Sequence, residues 1–566
     1  MSTPKDPNYQ DNYLSLHSVG VLKGQLGDWL GGIELIKKAL ILKPEYAEAH
    51  SNLGYGLTQL KRYEEALPCF ERAVALKPQY PEAYYNWGIA LEALKRYKES
   101  VACYKKAVAY NPNYYEAYNN CGSALVALKR FEEALQFYKN AIELKSDHPD
   151  LYSNYGSVLH ELGRYEEAVE CYEKALELKS TSPGLYNNYG NLLREVNRFD
   201  EAIIYFQSAI KLKPDYAAAY NNYAVTLQAQ QRYEEAIKYY DHAFKIDPTY
   251  YDAPFNKSLL YLALGRFEEG WPRNAGRWRK KDAEQKPATP YPLWSGESLK
   301  GKSLLIVAEQ GMGDQLQMLR YIPMLEKMGA KCLVYVDPPL QKLAKRSFSK
   351  ARILSSLQNI KTKIDCCVCI MSLPLLLKTF SEDEIPHNCP YLVADKNKVK
   401  SWNKKLHSKF NLKVGVVWKG RSAYKNNRKR SIPLETISSL FMDKRIQFVL
   451  LQHNATQIEL DLVERYPNVL SISEDLKDFD DTAAAIMALD LVISVDTAVA
   501  HLAGALNKSV LVMLPYNADW RWLINRSDSP WYPSSRLFRQ KSIGNWTQAI
   551  EEVKQVLGEA LGDKKL

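Results

Sequence analysis

Two regimes of hydrophobic patterning divide the chain. Through the first half, small, aromatic and helix-breaking positions recur every 34 residues. Pro44, Pro78, Pro112, Pro214 and Pro248 lie on this period, with Ser146 and Ser180 in the two gaps. Gly20, Gly54, Gly88, Gly122, Gly156 and Gly190 follow it too, as does an aromatic set from Trp29 through Tyr63, Tyr97, Phe131, Tyr165, Phe199 and Tyr233 to Phe267. A fixed period of this length marks an array of stacked structural units. From residue 303 the pattern changes. Short apolar runs alternate with helical stretches, which predicts parallel sheets with crossover helices.

In this second half SLLIVA (303–308), CLVYVD (332–337) and IDCCVCI (364–370) read as strands of a first lobe. The glycine loop EQGMGD (309–314) and a helix to about Met328 follow the first of them. VGVVWKG (414–420), FVLLQ (448–452), VLSIS (469–473), LVISV (491–495) and SVLVML (509–514) read as strands of a second lobe. The last helix, 546–561, is placed to cross back and close the first lobe. The expected domains are therefore a repeat array at 1–280, a linker at 281–302, and lobes at 303–400 and 401–566. Pro287, Pro290 and Pro292 break helices in the join, while Trp271 and Trp294 suggest that it is packed. Its basic cluster at 277–281 reads either as solvated linker or as part of a cleft wall.

Composition narrows the function class. Residues 1–270 carry 30 basic and 35 acidic side chains, and the remainder 45 and 30. The basic excess thus sits wholly in the second half, which suits an anionic ligand there. Nucleic acid is the weaker fit, because no recognised binding motif accompanies the charge. Nothing resembles a membrane span, and residues 1–10 lack a signal-peptide core. Nine cysteines, isolated for the most part, point to a reducing cytoplasm. Cys366, Cys367 and Cys369 invite a metal reading, but strand alternation turns Cys366 away from the other two, so no metal is expected.

The stretch LVISVDTAVAHLAGA (491–505) carries the clearest chemistry. A buried strand runs into a helix begun by Asp496 and Thr497, leaving N–H groups at the carboxyl edge of a sheet. Such an end attracts phosphate through those donors and the helix dipole. Thr497 and the backbone of Ala498 would hold a diphosphate, with Asp496 organising the turn. His501 either contacts that ligand or bonds within its own helix, and Gln452, at a strand end, is placed to reach a nucleotide. Asp519, Trp520, Arg521 and Trp522 form a polar–aromatic loop that faces a cleft or serves as packing.

A second ladder runs through the repeats: Asn52, Asn86, Asn120, Asn154, Asn188, Asn222 and Asn256 share the 34-residue spacing. An asparagine amide offers a donor and an acceptor, so it can pair bidentately with a peptide unit. A row of them would hold an extended polypeptide; alternatively, they fix neighbouring repeats to each other.

The recurring unit AYYNWGIALEALKRYKESVACYKKAVAYNP resembles the tetratricopeptide repeat, in which a glycine lets paired helices approach and a proline ends the second. Seven units follow an atypical first. The asparagine ladder is similar to the one that grips acceptor protein in O-GlcNAc transferases. The segments EQGMGDQLQMLRY, VVWKG, NNRKRSIPL, DLVISVDTAVAHLAGAL and DWRWL…SPWYP…LFRQ resemble repeat-bearing bacterial proteins related to glycosyltransferase family 9, the heptosyltransferase-like enzymes.

That resemblance implies a GT-B arrangement of two Rossmann-like lobes behind an α-solenoid of repeats. It also implies an inverting, metal-independent transferase that uses a nucleotide-sugar donor and no separate cofactor. Asp314 matches the family's catalytic base, though an aspartate opening a helix also reads as a cap. Gly311 and Gly313 would let backbone approach the donor closely. Lys419 and Arg421 stand where the family places a basic group near the donor phosphates, while Arg428 and Arg430 in the next loop serve either that end or solvent. Ala498 stands where members often carry glycine. The leading expectation is sugar transfer to a protein acceptor held by the repeats. The alternatives are transfer to a glycan or lipid, or a non-catalytic scaffold.

Overall fold

The protein is described here from a computed structural model, which describes residues 7–280, 283, 286–287, 289–358, 360–406, 410–420, 427–453 and 455–562. The chain divides into two compact units, Met1–Thr226 and Leu227–Leu566. The repeat array expected to end at 280 is therefore partitioned. Its last helices, Tyr233–Ile246, Asp252–Ala263 and Phe267–Asn274, belong to the second unit.

The first unit is a stack of antiparallel helix pairs, beginning with Pro7–Gln25 and Trp29–Leu42. The periodic glycine explains the pairing. A Cβ on Gly88 would lie 2.5 Å from the Tyr104 ring, one on Gly122 2.8 Å from Tyr138, and one on Gly190 2.7 Å from Phe206. These rings are a second 34-residue aromatic set, also containing Phe70 and Tyr172, and all five are buried. The bend between paired helices is equally regular. Lys61, Lys95, Lys129 and Asn197 take φ near +60°. Around Lys61, the Lys61 N–H donates to the Thr58 carbonyl and the Arg62 N–H to the Leu57 carbonyl, each at 2.9 Å, a Schellman closure. Arg62, Arg96, Arg130, Arg164 and Arg198 then pair with the glutamate three residues on. These pairs are exposed and screened by solvent, so they add little to stability. The glycine–ring contact, not the charge, sets the helix spacing.

The second unit holds two parallel sheets. The first comprises β1 (Ser303–Val307), β2 (Lys331–Tyr335), β3 (Arg352–Leu354) and β4 (Cys366–Cys369), in the order β3-β2-β1-β4. The second comprises β5 (Leu412–Val417), β6 (Ile446–Leu450), β7 (Val469–Ser471), β8 (Leu491–Val495), β9 (Val510–Leu514) and β10 (Ser535–Arg539), in the order β10-β9-β8-β5-β6-β7. Strands β8 and β9 are buried at every position, the mark of a sheet covered on both faces. The sequence pattern missed β3, which is three residues long, and β10, whose Ser-Arg-Leu-Phe-Arg run is too polar to stand out.

Two further expectations are corrected. The helix Thr547–Ala560 does not cross back. Ile550, Val553 and Leu557 pack with Val414, Phe448 and Ile493, against its own sheet. The segment expected as a linker is partly sheet: the Pro292 carbonyl accepts from the Cys367 N–H and the Trp294 N–H donates to the Cys367 carbonyl, both at 2.8 Å. Alternation on β4 places Cys366 with the larger core and Cys367 with a smaller one on the opposite face.

The last repeat helices share the main core of this unit. Phe267, Trp271, Trp520 and Trp531 form one aromatic cluster, and the Trp271 indole donates to the Thr379 carbonyl at 2.9 Å. Beside it, Arg277 and Glu309 make a buried bidentate pair at 2.6 and 2.9 Å, only 3% and 4% exposed. Glu309 also accepts the Met371 N–H, and Arg277 donates to Ser372.

Two outcomes follow from this packing. Gly88→Ala forces a methyl into the Tyr104 ring and lowers stability by about 1–3 kcal/mol. Gly184→Ala, where a Cβ meets nothing nearer than 3.6 Å, serves as the control in urea unfolding and leaves the midpoint unchanged or higher. Arg277→Ala strands the Glu309 carboxylate and costs about 3–5 kcal/mol in the same measurement, whereas the double change Arg277→Met with Glu309→Leu recovers most of the loss.

Candidate functional site

Both sheets have the strand order of a doubly wound fold, and in such sheets ligands bind outside the carboxyl ends where the order reverses. In the first sheet that point lies between β1 and β4, and the loop leaving β1 is the glycine loop. In the second it lies between β8 and β5. The loops leaving those strands carry Asp496–Thr497 and Trp418–Gly420. Topology alone thus gathers the glycine loop, the Lys419 loop and the start of the Ala498–Ala505 helix at reversal points.

Thr497 is the N-cap of that helix in extended conformation, but its side chain does not cap it. The hydroxyl turns back to Ser494 Oγ at 2.9 Å, and Ser494 donates to the Val495 carbonyl. The Ala500 N–H reaches the Thr497 carbonyl, while the N–H groups of Ala498 and Val499 have no bonded partner among the described residues. Against this end lies the glycine loop. A Cβ on Gly313 would stand 2.9 Å from the His501 ring and 3.6 Å from the Ala498 Cα. Gly313 therefore permits two helices from different sheets to touch; Gly311 does a different job.

Gly311, not Asp314, is the N-cap of the Met312–Met318 helix, after Gln310 turns the chain with φ +61°. Asp314 sits at the third position, and its Oδ2 accepts the Gly311 N–H at 2.9 Å. Its Oδ1 contacts the guanidinium of Arg521, from the loop beyond β9. Arg521 also pairs with Asp519 at 2.5 Å and lies 4.5 Å over the Trp520 ring. Burial pushes the Arg521 guanidinium down to about 10. It lifts Asp496 above the ordinary carboxylate range, and Asp519 up to about 7, where the neighbouring charge of Asp496 adds to the effect. Carboxylates from both sheets thus converge on one arginine.

His501 is enclosed. Its Nδ1 meets the Tyr532 hydroxyl at 3.0 Å, its ring stacks on Trp522 at 5.1 Å, and its Nε2 lies 3.8 Å from Asp496. Burial holds the imidazole down to about 3, with repulsion from Arg320 and Arg430. Its place is behind the helix start, and its bond goes to Tyr532 rather than within its own helix. Gln452 is 3% exposed, and its amide brackets the loop after β5: it accepts from the Trp418 and Lys419 N–H groups and donates to the Lys419 carbonyl. Its role is to shape that loop, which replaces the expected reach toward a nucleotide. Lys419 pairs with Glu459, which caps the Gln457–Val463 helix.

Arg421 and the Arg428 side chain lie outside the described residues. Arg430 packs against Gly420, where a Cβ would be 2.6 Å from its Nη2, and its charge acts on Asp496, Asp519 and His501. Sequence reasoning missed Arg320. It is 2% exposed and has no carboxylate partner among the described residues. It donates to the Gln317 and Trp531 carbonyls and the Tyr391 hydroxyl, among the rings of Tyr391, Trp531 and Tyr532. A cation in an apolar helical stretch was the available signal. Elsewhere Asp478, Asp480 and Asp481 approach one another closely, but Lys342, Arg346 and Lys398 pair with them.

In the first unit the asparagine ladder works between repeats. Asn52 donates to His17, Asn120 to Tyr85, Asn154 to Asn119, Asn188 to Ser157 and Asn222 to Asn187, always in the preceding repeat. The Oδ1 atoms of Asn120, Asn188 and Asn222 accept from the asparagine one residue earlier. At those three positions both polar atoms are engaged, so the bidentate grip on a peptide gives way to a clamp between units. Asn86 is half-buried with no bond shown, and Asn256 lies in the second unit. Asn120, Asn154 and Asn188 nonetheless line a groove of about 450 Å³. Tyr84 is buried, and Tyr152 and Tyr186 donate to the Ser146 and Ser180 carbonyls, so these rings are packing.

Comparison with known proteins bears on the repeats. Models described as tetratricopeptide repeat match residues 81–114, 147–215 and 189–251, and one described as TPR repeat matches 54–95 and 122–163. Protein FlbA of Caulobacter vibrioides is 27% identical over 294 residues, covering 47% of this chain and 48% of that protein. The alignment thus spans about half the length of this relative. Crystal structures of MamA, at 27% identity, and of YrrB, titled a TPR protein with an unusual peptide-binding site, at 25%, are also similar. They cover 28% and 34% of this chain and 94% and 98% of those chains, each with a TM-score of 0.28. No described helix is long and apolar enough to cross a membrane.

The buried imidazole has a pH signature. An unfolded histidine titrates near 6.5 and binds a proton below that, whereas native His501 stays neutral to about 3. The stability it contributes is therefore full above 6.5 and falls as the pH drops. Between pH 7.5 and 5 the loss is about 2 kcal/mol. His501→Gln is expected to shrink the difference between the unfolding free energies at those two pH values, measured in urea, by that amount.

Proposed function

We propose that the second unit is a GT-B glycosyltransferase that moves a sugar from a nucleoside diphosphate to an acceptor hydroxyl or amide, with the repeats holding a protein acceptor. One observation carries the reading: the glycine loop of one doubly wound sheet touches the uncapped helix start of the other, at Gly313 and Ala498. The free N–H groups there and the helix dipole suit the diphosphate, and Thr497 and Arg430 border it. Ala498 leaves a methyl at this end where relatives of the enzyme often have none. Asp314 is the base. It takes the acceptor proton as the oxygen or nitrogen attacks the anomeric carbon, while the bond to the diphosphate breaks and the leaving group departs with its electrons, inverting the centre. Arg521, which pairs with Asp314, would share its charge with the departing diphosphate. The cationic side chains and helix end do the work that a divalent ion does elsewhere.

A second reading has a specific observation in its favour. Both oxygens of Asp314 are occupied, by Gly311 and Arg521, and the described similarities rest on the repeats. On this reading the chain is a repeat scaffold whose lobes no longer turn over.

A panel of nucleoside diphosphates in thermal-shift assays, followed by donor turnover, separates the two. The transferase raises its melting temperature with one nucleotide, turns over the matching sugar donor in the presence of EDTA, and loses about 10²–10⁴-fold in rate with Asp314→Asn while keeping the thermal shift. Absence of any nucleotide-dependent shift would sink the proposal.

A further inference from the structure

The groove in the first unit has a sign. Its carboxylates are Glu116 and Asp150, and none of its lining residues is lysine or arginine. These two acids belong to a ladder of their own. Glu48, Glu82, Glu116 and Asp150 lie 34 residues apart, each in the first turn of the first helix of a repeat. Each stands four residues before a ladder asparagine, so acid and amide share one helix face. The series then stops at Gly184 and Ala218.

Ion pairing distinguishes the members. Glu48 is matched by Lys77 at 3.1 Å. One repeat on, the position of Lys77 is Asn111, and Glu82 makes no ion pair among the described residues. The next equivalent, Lys145, pairs with Asp147 at 3.1 Å, and Glu116 and Asp150 make no ion pair among the described residues. Glu116 and Asp150 thus line the groove without an ion pair among the described residues, while Glu82, one repeat before them, has the charge of Lys77 nearby.

The asparagines leave this polarity in place. Their NH₂ groups are turned into the clamp between repeats. With the Oδ1 atoms of Asn120 and Asn188 also engaged, what chiefly remains toward the groove is the pair of carboxylates, Glu116 and Asp150. A surface of negative charge selects a donor-rich, cationic chain.

We infer that the groove lined by Glu116 and Asp150, continued one repeat toward Glu82 over the third to fifth first helices, binds an extended polypeptide segment bearing regularly spaced arginine or lysine. Neighbouring helices lie about 10 Å apart, and a polyproline II chain advances about 3.1 Å per residue with three residues per turn, so every third side chain faces the same way. The basic side chains accordingly recur at about every third residue. The inference rests on the reading of the repeats as the partner-binding part, and it narrows the acceptor class in the proposed function.

The test uses the full chain and fluorescence anisotropy with three labelled fifteen-residue peptides of equal length: one with arginine at every third position among serines, one with glutamate there, and one with serine throughout. The basic peptide binds, its affinity falls with added salt, and the triple variant Glu82→Gln, Glu116→Gln, Asp150→Asn weakens it at least tenfold. The amide replacements keep side-chain shape, and an unchanged melting temperature shows that the stack is intact. Equal binding of the serine or glutamate peptide overturns the inference, as does undiminished binding by a folded triple variant. The nucleotide thermal shift reports on the second unit independently. Its presence without basic-peptide binding discards the inference and keeps the transferase; binding without the shift does the reverse.

Discussion

Arg521 reaches from the loop after β9 to a carboxylate on the helix that follows β1, and the approach of two carboxyl edges depends on that contact. A guanidinium removed from water needs paired charge, and here it finds Asp314 on one side and Asp519 on the other. The pairing fixes the loop that carries Trp520, and Trp520 in turn packs edge-on against Trp271. Arg320 and Arg277 repeat the device at two other places in the same unit, one caged by aromatic rings and carbonyls, the other matched by Glu309. Truncating any of these cations leaves a buried dipole or charge without its partner. The unit is thus held in a specific arrangement by groups whose loss is costly, on top of an apolar core that is less particular.

The repeats are governed by a simpler constraint. Helices approach because a glycine faces a ring, and successive pairs stay in register because an asparagine of one donates to the pair before it. This makes the array additive: each interface can be weakened alone, as expected of a quasi-one-dimensional stack. The last pairs are an exception, because Phe267 and Trp271 have become part of another core. The break at Thr226 falls inside the array, where the chain's own period gives no hint of it.

Legibility in the sequence followed the strength of the repeating signal. The 34-residue period was plain because it recurs, and β1, β2 and β4 to β9 were legible as short apolar runs between helical stretches. β3 and β10 were not, one too short and the other interrupted by arginine. The candidate site was legible where backbone chemistry dominates: the glycine loop and the start of the Ala498–Ala505 helix both leave strand ends, and Gly313 lies against Ala498. It was illegible where a side chain's role depends on what lies opposite. Gln452, His501 and the asparagines each have the atoms for a ligand, but in the fold those atoms go to a loop, a tyrosine and a neighbouring repeat. Arg521 stood in a polar–aromatic loop that reads either as facing a cleft or as packing, and Arg320 in an apolar helical stretch; their roles emerge only when Asp314, Tyr391 and Trp531, distant in the chain, are in place.

The two oxygens of Asp314 frame how the proposed chemistry would proceed. One is committed to the Gly311 N–H, which fixes the carboxylate plane relative to the helix. A general base needs a lone pair free toward its proton, so in the proposed reaction the other oxygen would be the working one, and Arg521 contacts it. On the proposed reading, a diphosphate at the Ala498 helix start would add two or more negative charges to the surroundings of the Arg521–Asp314 pair. That anion competes with Asp314 for Arg521 more strongly than any neutral ligand, so arrival of the donor would itself uncover the base. Under this reading the resting pair is a lock released by the correct substrate class, and the acceptor meets an active carboxylate only after the donor is seated.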